Sequence, residues 1–227
     1  MADAAELQRL AWFSPAFPVG GFAYSHGIEK AVETGDVTGA DSLAGWISSI
    51  LRHGAGWNDA VLIGEAWRRS GELDRAIRVR ELAELAELGA ALSLSRERRL
   101  ETVQQGAAFH RLVQSAWPHP DLPDFCDIDL PYPVAVGVAG RLHGQPLNPL
   151  IAAYLQAFAG NLIAAGIRLS VVGQQGAQIK LAELMPAIAG LSDNAATSTL
   201  DDLGGMTFRS DLMSLRHETQ QVRLFRS

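Results

Sequence analysis

The stretch Asn148-Pro149-Leu150-Ile151-Ala152-Ala153-Tyr154-Leu155-Gln156-Ala157-Phe158-Ala159-Gly160-Asn161-Leu162-Ile163 decides the fold. Its first two residues suit a helix start, because asparagine can cap free backbone N–H groups and proline needs no donor in the first turn. Tyr154, Leu155, Phe158, Leu162 and Ile163 then recur at helical spacing, and apolar residues spread around much of the circumference. A helix that is apolar on most sides belongs inside a bundle, so this one is expected to be central.

Helical spacing continues in both directions, and sustained period-two alternation is scarce. A short first helix carries Leu7, Leu10 and Ala11 and must stop before Pro15. Residues 15–21 form a bend, and residues 23–33 form a second helix with Ile28, Ala31 and Val32 facing inward and Gly35 ending it. Asp41 reads as the cap of a third helix, buried through Leu43, Trp46, Ile47, Ile50 and Leu51. Asn58 reads as the cap of a fourth ending at Gly71, unless Gly54 and Gly56 merely bend one longer helix. Residues 72–117 are rich in Leu, Ala, Glu and Arg and predict two long helices with a break at 93–95. Residues 118–133, proline-rich and acidic, predict an exposed loop. Another helix is expected over 177–189 and a shorter one from Asp193, with residues 206–227 reaching beyond the helical body. The fold class is therefore all-α: a single compact multi-helix bundle spanning residues 1–227, with a C-terminal docking tail.

The chain of 227 residues is long enough to close around one core. It is 48% hydrophobic against 19% charged, poor in solvating charge for a lone globule, so part of its apolar surface is expected to meet a partner. A net charge of −6 disfavours nucleic acid and anionic membranes, which bind through clustered Lys and Arg. The first nine residues lack the basic and apolar regions of a secretory signal, and the apolar stretches are interrupted and too short to span a bilayer. With a single cysteine, Cys126, a cytoplasmic location is expected.

Enzyme signals are weak. Ala23-Tyr24-Ser25-His26-Gly27 resembles a hydrolase nucleophile elbow, and a helical hydrolase using Ser25 is one alternative. The elbow needs a preceding strand, however, and here a Pro-Gly bend stands there. No phosphate-cradling G-x-x-x-x-G-K-[ST] string and no H-x-x-x-H pair occurs. A loop with His119, Asp121, Asp124, Cys126, Asp127 and Asp129 offers mixed ligands, making a nickel-binding storage protein the other alternative. A loop of solvated carboxylates is the commoner meaning of such a run, and no catalytic, cofactor or metal residue is assigned. Trp12, Phe13, Phe17, Phe22 and Tyr24 crowd one region, most expected in the core and the remainder at an interface. Arg223-Leu224-Phe225-Arg226 sets bulky apolar groups between guanidiniums, which suits binding more than fraying.

These stretches resemble the urease accessory protein UreF family. Residues 14–29, from Ser14-Pro15 through Phe22, Tyr24-Ser25, Gly27 and Glu29, match its S-P-x-x-P-x-G-x-F-x-Y-S-x-G-x-E pattern. Tyr132-Pro133-Val134-Ala135-Val136-Gly137, residues 161–168 and Gly173-Gln174 with Gln178 resemble its central segments, and His217-Glu218-Thr219 through Arg223-Leu224-Phe225-Arg226-Ser227 its terminus. Ala177 stands where the family has a second glycine, and Tyr132 where many members have histidine. The resemblance implies a dimerising all-α accessory protein without catalysis of its own. It implies that the protein binds the UreD (UreH) accessory protein and recruits the UreG GTPase to the urease apoprotein, so that nickel enters the active site. The partner contacts carried over are Phe22, Tyr24, Ser25, Glu29, Gln174, Gln178, His217, Glu218, Arg223, Leu224, Phe225, Arg226 and Ser227.

Overall fold

The structure is a computed structural model that describes residues 3–125 and 127–227. Among these residues every regular element is helical: α1 (Ala4–Trp12), α2 (Ile28–Glu33), α3 (Ala40–His53), α4 (Ala55–Arg69), α5 (Arg75–Ala91), α6 (Arg96–Ala116), α7 (Tyr132–Leu142), α8 (Leu147–Arg168), α9 (Gln174–Thr197) and α10 (Phe208–His217). The all-α expectation holds. α4 packs on α7, α7 on α6, and α8 on α9, while α3 and α4 bridge these pairs. One apolar cluster links Trp12, Ile47, Ile63, Leu85, Phe109, Val136, Leu155 and Ile188, so the core passes through every layer.

α8 is central as expected, with Leu150, Ile151, Leu155, Ala159 and Leu162 buried. It is longer than the apolar stretches suggested: 22 residues, with an 18-residue window of mean hydropathy 1.6, enough by length and composition to cross a membrane. Half of its apolar window is enclosed by the bundle, as befits a core helix. Asn148 does not cap it. Pro146 precedes the first turn, and the Asn148 side chain instead accepts from Ser192 Oγ on α9 at 2.8 Å.

Several boundaries move for identifiable reasons. Asp41 lies inside the first turn of α3 and pairs with Lys180 at 2.7 Å, while Ser42 Oγ receives the Thr38 and Gly39 amides. α3 and α4 are separate helices because Gly54 leaves helical geometry at φ −127°, ψ −141°. Asn58 is then inside α4, where its carboxamide holds the Gly204 and Gly205 backbone. The break between α5 and α6 falls at 92–95, with Asp74 and Ser95 as caps. α7 was not expected. The loop expected over 118–133 is present among the described residues up to Pro131, but Pro133 occupies the first turn of α7, where a missing N–H costs nothing, so its last proline helps open a helix. α9 runs unbroken through Pro186 where two pieces were expected.

The largest change is at the carboxyl end. α10 packs on α2 and α6, and the residues after it turn back onto the body, with Phe225 and Ser227 buried. The expectation of a tail reaching beyond the bundle is corrected: burial of the Phe225 ring contributes roughly 2 kcal/mol toward docking it.

Candidate functional site

The site forms where residues 20–29 meet residues 217–227. Gly20, His26 and Gly27 all have positive φ, at 82°, 55° and 75°. They keep residues 24–26 out of helical geometry, so α2 starts at Ile28 and not at residue 23. The extended segment this leaves pairs with the tail: Ser25 N–H donates to the Ser227 carbonyl at 2.7 Å, and Arg226 N–H to the Ala23 carbonyl at 2.8 Å.

Ser25 Oγ also donates to the Ser227 carbonyl and accepts from the Glu29 amide at 3.3 Å. The hydroxyl is fully buried and no strand precedes it, so the nucleophile-elbow geometry is not formed. Glu29, also buried, is the receptor for the tail. Its Oε1 accepts the Leu224 amide at 2.7 Å, and its Oε2 accepts the Phe225 amide at 2.9 Å and His217 Nε2 at 3.1 Å. His217 Nδ1 faces Glu97 Oε2 at 2.7 Å, and the other Glu97 oxygen binds Arg223. Arg223 also donates to the Gln220 and Glu218 carbonyls, and Glu218 Oε1 accepts the Arg96 amide.

Arg168 donates to the Phe22 carbonyl and lays its guanidinium 3.9 Å from the centre of the Phe225 ring. That cation–π contact is worth about 1 kcal/mol at a partly exposed site. Phe22 itself is 73% exposed, Val222 86% and Leu224 60%. Phe22 on the amino-terminal segment and Val222 and Leu224 on the tail thus face outward, as do Arg223 and Arg226.

Beneath the segment lies a cavity of about 40 Å³, room for roughly two or three waters, lined by Tyr24, His26, Asp59, Arg98, Glu101 and Tyr154 among others. Glu101 accepts from Arg98, from Gln105 Nε2 at 3.2 Å and from Ser227 Oγ at 3.1 Å. Burial works to raise its carboxyl, but Arg98 and His26 together draw it down to about 2. Arg98 lies 2.5 Å from His26 Nδ1. The same Nδ1 lies 3.3 Å from Glu101 Oε1, and Nε2 finds no protein partner among the described residues. Burial, reinforced by Arg98, lowers His26 to about 4. Burial raises Asp59 to about 6 even though Tyr154 donates to it at 2.7 Å. Burial, then Glu101, also raises the Tyr24 phenol, which donates to Gln104 at 2.6 Å.

The sign of the pH dependence follows from these shifts. His26 binds its proton less readily folded than unfolded, so its contribution to stability is present above pH 6.5 and is lost as pH falls toward 4. Glu101 continues the loss from about 4.5 toward 2, whereas Asp59 acts in the opposite sense between 3.8 and 6. His26→Asn, which tolerates positive φ and does not titrate, should flatten the fall in urea midpoint between pH 6.5 and 4. An unchanged slope in that variant would rule out His26 as the source.

Of the residues marked from the sequence, Phe22, Tyr24, Ser25, Glu29, His217, Glu218, Arg223, Leu224, Phe225, Arg226 and Ser227 come together here. Gln174 and Gln178 lie exposed on the first turns of α9 and, among the described residues, take no part in the hydrogen bonding. Glu97, Arg98, Glu101 and Arg168 were missed. The run Arg96-Glu97-Arg98-Arg99-Leu100-Glu101 reads as a solvated helix start, and nothing in it marks which charges are covered. In the acidic loop Asp121 pairs with Arg78 at 3.3 Å and Asp129 with Arg99 at 2.7 Å. Among the described residues no group of three metal-ligating side chains gathers, and Cys126 lies outside them.

Fold and site define an all-helical protein in which a network of covered polar groups ties residues 23–29 to residues 217–227. The UreF family model matches residues 37–185, more than half of the chain. A urease accessory protein UreF of Bradyrhizobium sp. (strain ORS 278) is 49% identical over 230 residues, covering 100% of this chain and 94% of that protein. One from Bradyrhizobium sp. (strain BTAi1 / ATCC BAA-1182) is 51% identical over 231 residues, covering 99% and 93%. Urease accessory protein UreF 1 of Brucella abortus biovar 1 (strain 9-941) is 48% identical over 221 residues, covering 97% and 93%. The chain belongs to the UreF family of urease accessory proteins.

Proposed function

We propose that this protein is a cytoplasmic, homodimeric scaffold for urease maturation, one domain over its whole length and without catalysis of its own. It binds the UreD/UreH accessory protein and recruits the UreG GTPase to apo-urease for nickel insertion. The observation that carries this reading is the tail folded onto residues 23–29, with Phe22, Val222 and Leu224 exposed and Arg223 and Arg226 exposed with them. Arginines are among the residues that carry most binding energy at protein interfaces, and exposed apolar side chains beside them add surface that a partner can bury. In this reading the exposed Leu224, Arg226 and Phe22 meet the partner, and the buried Phe225, Ser227, Glu29 and His217 support them from beneath.

Deleting residues 224–227 tests it. Helical content should persist, since α10 ends at His217. Copurification with a coexpressed UreD-type partner should be lost, and undiminished recovery of the complex would reject the assignment.

A further inference from the structure

Two carboxylates, the buried Glu29 from α2 and the partly buried Glu97 from α6, approach opposite nitrogens of His217 from α10, whose ring is fully covered. A carboxylate only accepts, so satisfying both contacts requires two N–H donors on the ring. A neutral imidazole has one, and would turn its lone pair toward the other carboxylate in a setting that water does not reach. Both carboxylates also hold the tail. Glu29 takes the Leu224 and Phe225 amides, and Glu97 takes the Arg223 guanidinium.

We propose that Glu29, His217 and Glu97 are positioning residues for the docking segment, a carboxylate–imidazolium–carboxylate relay that fixes the backbone at 224–225 and thereby turns Leu224 outward and Phe225 inward. Residues 224 and 225 lie in a bend that turns both amides onto the same carboxylate, so fixing that carboxylate fixes the bend and with it which side chain is displayed. Leu224 is 60% exposed and Phe225 3%. His217 and Glu29 accordingly act on the partner through the tail's conformation and not by touching it. Glu97, which no sequence pattern marked, belongs to the same set. The inference rests on the reading that this segment is the docking face.

The test uses the full-length protein with His217→Gln and Glu97→Gln. Hydrogen exchange at the Leu224 and Phe225 amides should quicken by about tenfold or more, the loss expected for one charge-assisted hydrogen bond, while exchange in α4 and α8 is unchanged. Nitrogen-15 spectra of the wild-type protein should show both His217 ring nitrogens protonated. A neutral ring, or tail amides that exchange at the wild-type rate in both variants, would overturn the relay. Binding of the coexpressed UreD-type partner supplies the second arm. Leu224→Ala should weaken it, and His217→Gln added to Leu224→Ala should weaken it little further, because the side chain being positioned is gone. Fully additive losses would show His217 acting by another route and overturn the proposal. If Leu224→Ala binds normally, the docking reading fails, while the exchange and nitrogen-15 results still decide whether the relay holds the tail.

Discussion

Gly106→Ala should destabilise the protein by about 3–5 kcal/mol, the range reached when a buried clash cannot be relieved. Gly106 is buried inside α6, a position where glycine is ordinarily a liability of roughly 1 kcal/mol against alanine. A Cβ there would lie 2.0 Å from the Leu130 carbonyl oxygen and 2.8 Å from the Pro131 carbon and the Tyr132 nitrogen. All three atoms are backbone, so no rotamer change can make room. Either the start of α7 moves off α6 or α6 bends, and both disturb the packing around Phe109 and Leu130. Gly160→Ala in α8 is the control, since its Cβ would meet nothing within 4 Å. It should be neutral or stabilise by up to about 1 kcal/mol. Urea denaturation of the two variants decides the matter: equal midpoints would mean that α6 and α7 are not this close.

Glu101→Ala should cost a comparable amount, about 3–5 kcal/mol, because it removes one partner from a buried ion pair and leaves the other uncompensated. Arg98 would remain covered beside the neutral His26, Gln105 would lose its acceptor, and Ser227 Oγ its link to the body. Glu101→Gln keeps hydrogen-bonding capacity without the charge and should fall between wild type and alanine. The alanine variant should also lose the part of acid sensitivity that lies below pH 4.5, where the wild-type carboxylate is held ionised down to about 2. Thermal unfolding at pH 7, and across the range from pH 4.5 down to about 2, measures both effects. A midpoint at pH 7 unchanged within error would mean that Arg98 finds solvent once the carboxylate is gone.

Both predictions concern residues that the amino-acid sequence did not mark, while much else was legible in it. The central helix, the pair α5 and α6 with their break at 92–95, the left-handed Gly35 and the first bend all follow from apolar spacing, caps and prolines, which are local properties. α7 was missed for a local reason too, since Pro-Tyr-Pro is equally consistent with a loop and with a helix that opens on proline. The start of α2 was misplaced for a non-local one. Residues 23–25 have helix-compatible side chains, but their backbone groups pair with Arg226 and Ser227, about two hundred positions away.

The sequence alone determined that the chain is helical, which helix is central, that the two ends are unusual, and, through residues 14–29 and 217–227, the family to which it belongs. Only the tertiary structure decided that those two ends meet, that Leu224 is displayed while Phe225 is covered, and that Glu29, His217, Glu97 and Glu101 face inward. Helix formation and apolar periodicity are governed by neighbours within a turn or two, so composition and spacing record them. Which charge is desolvated, and which carboxylate meets which amide, depends on distances between residues remote in the chain, and those exist only once the bundle has closed.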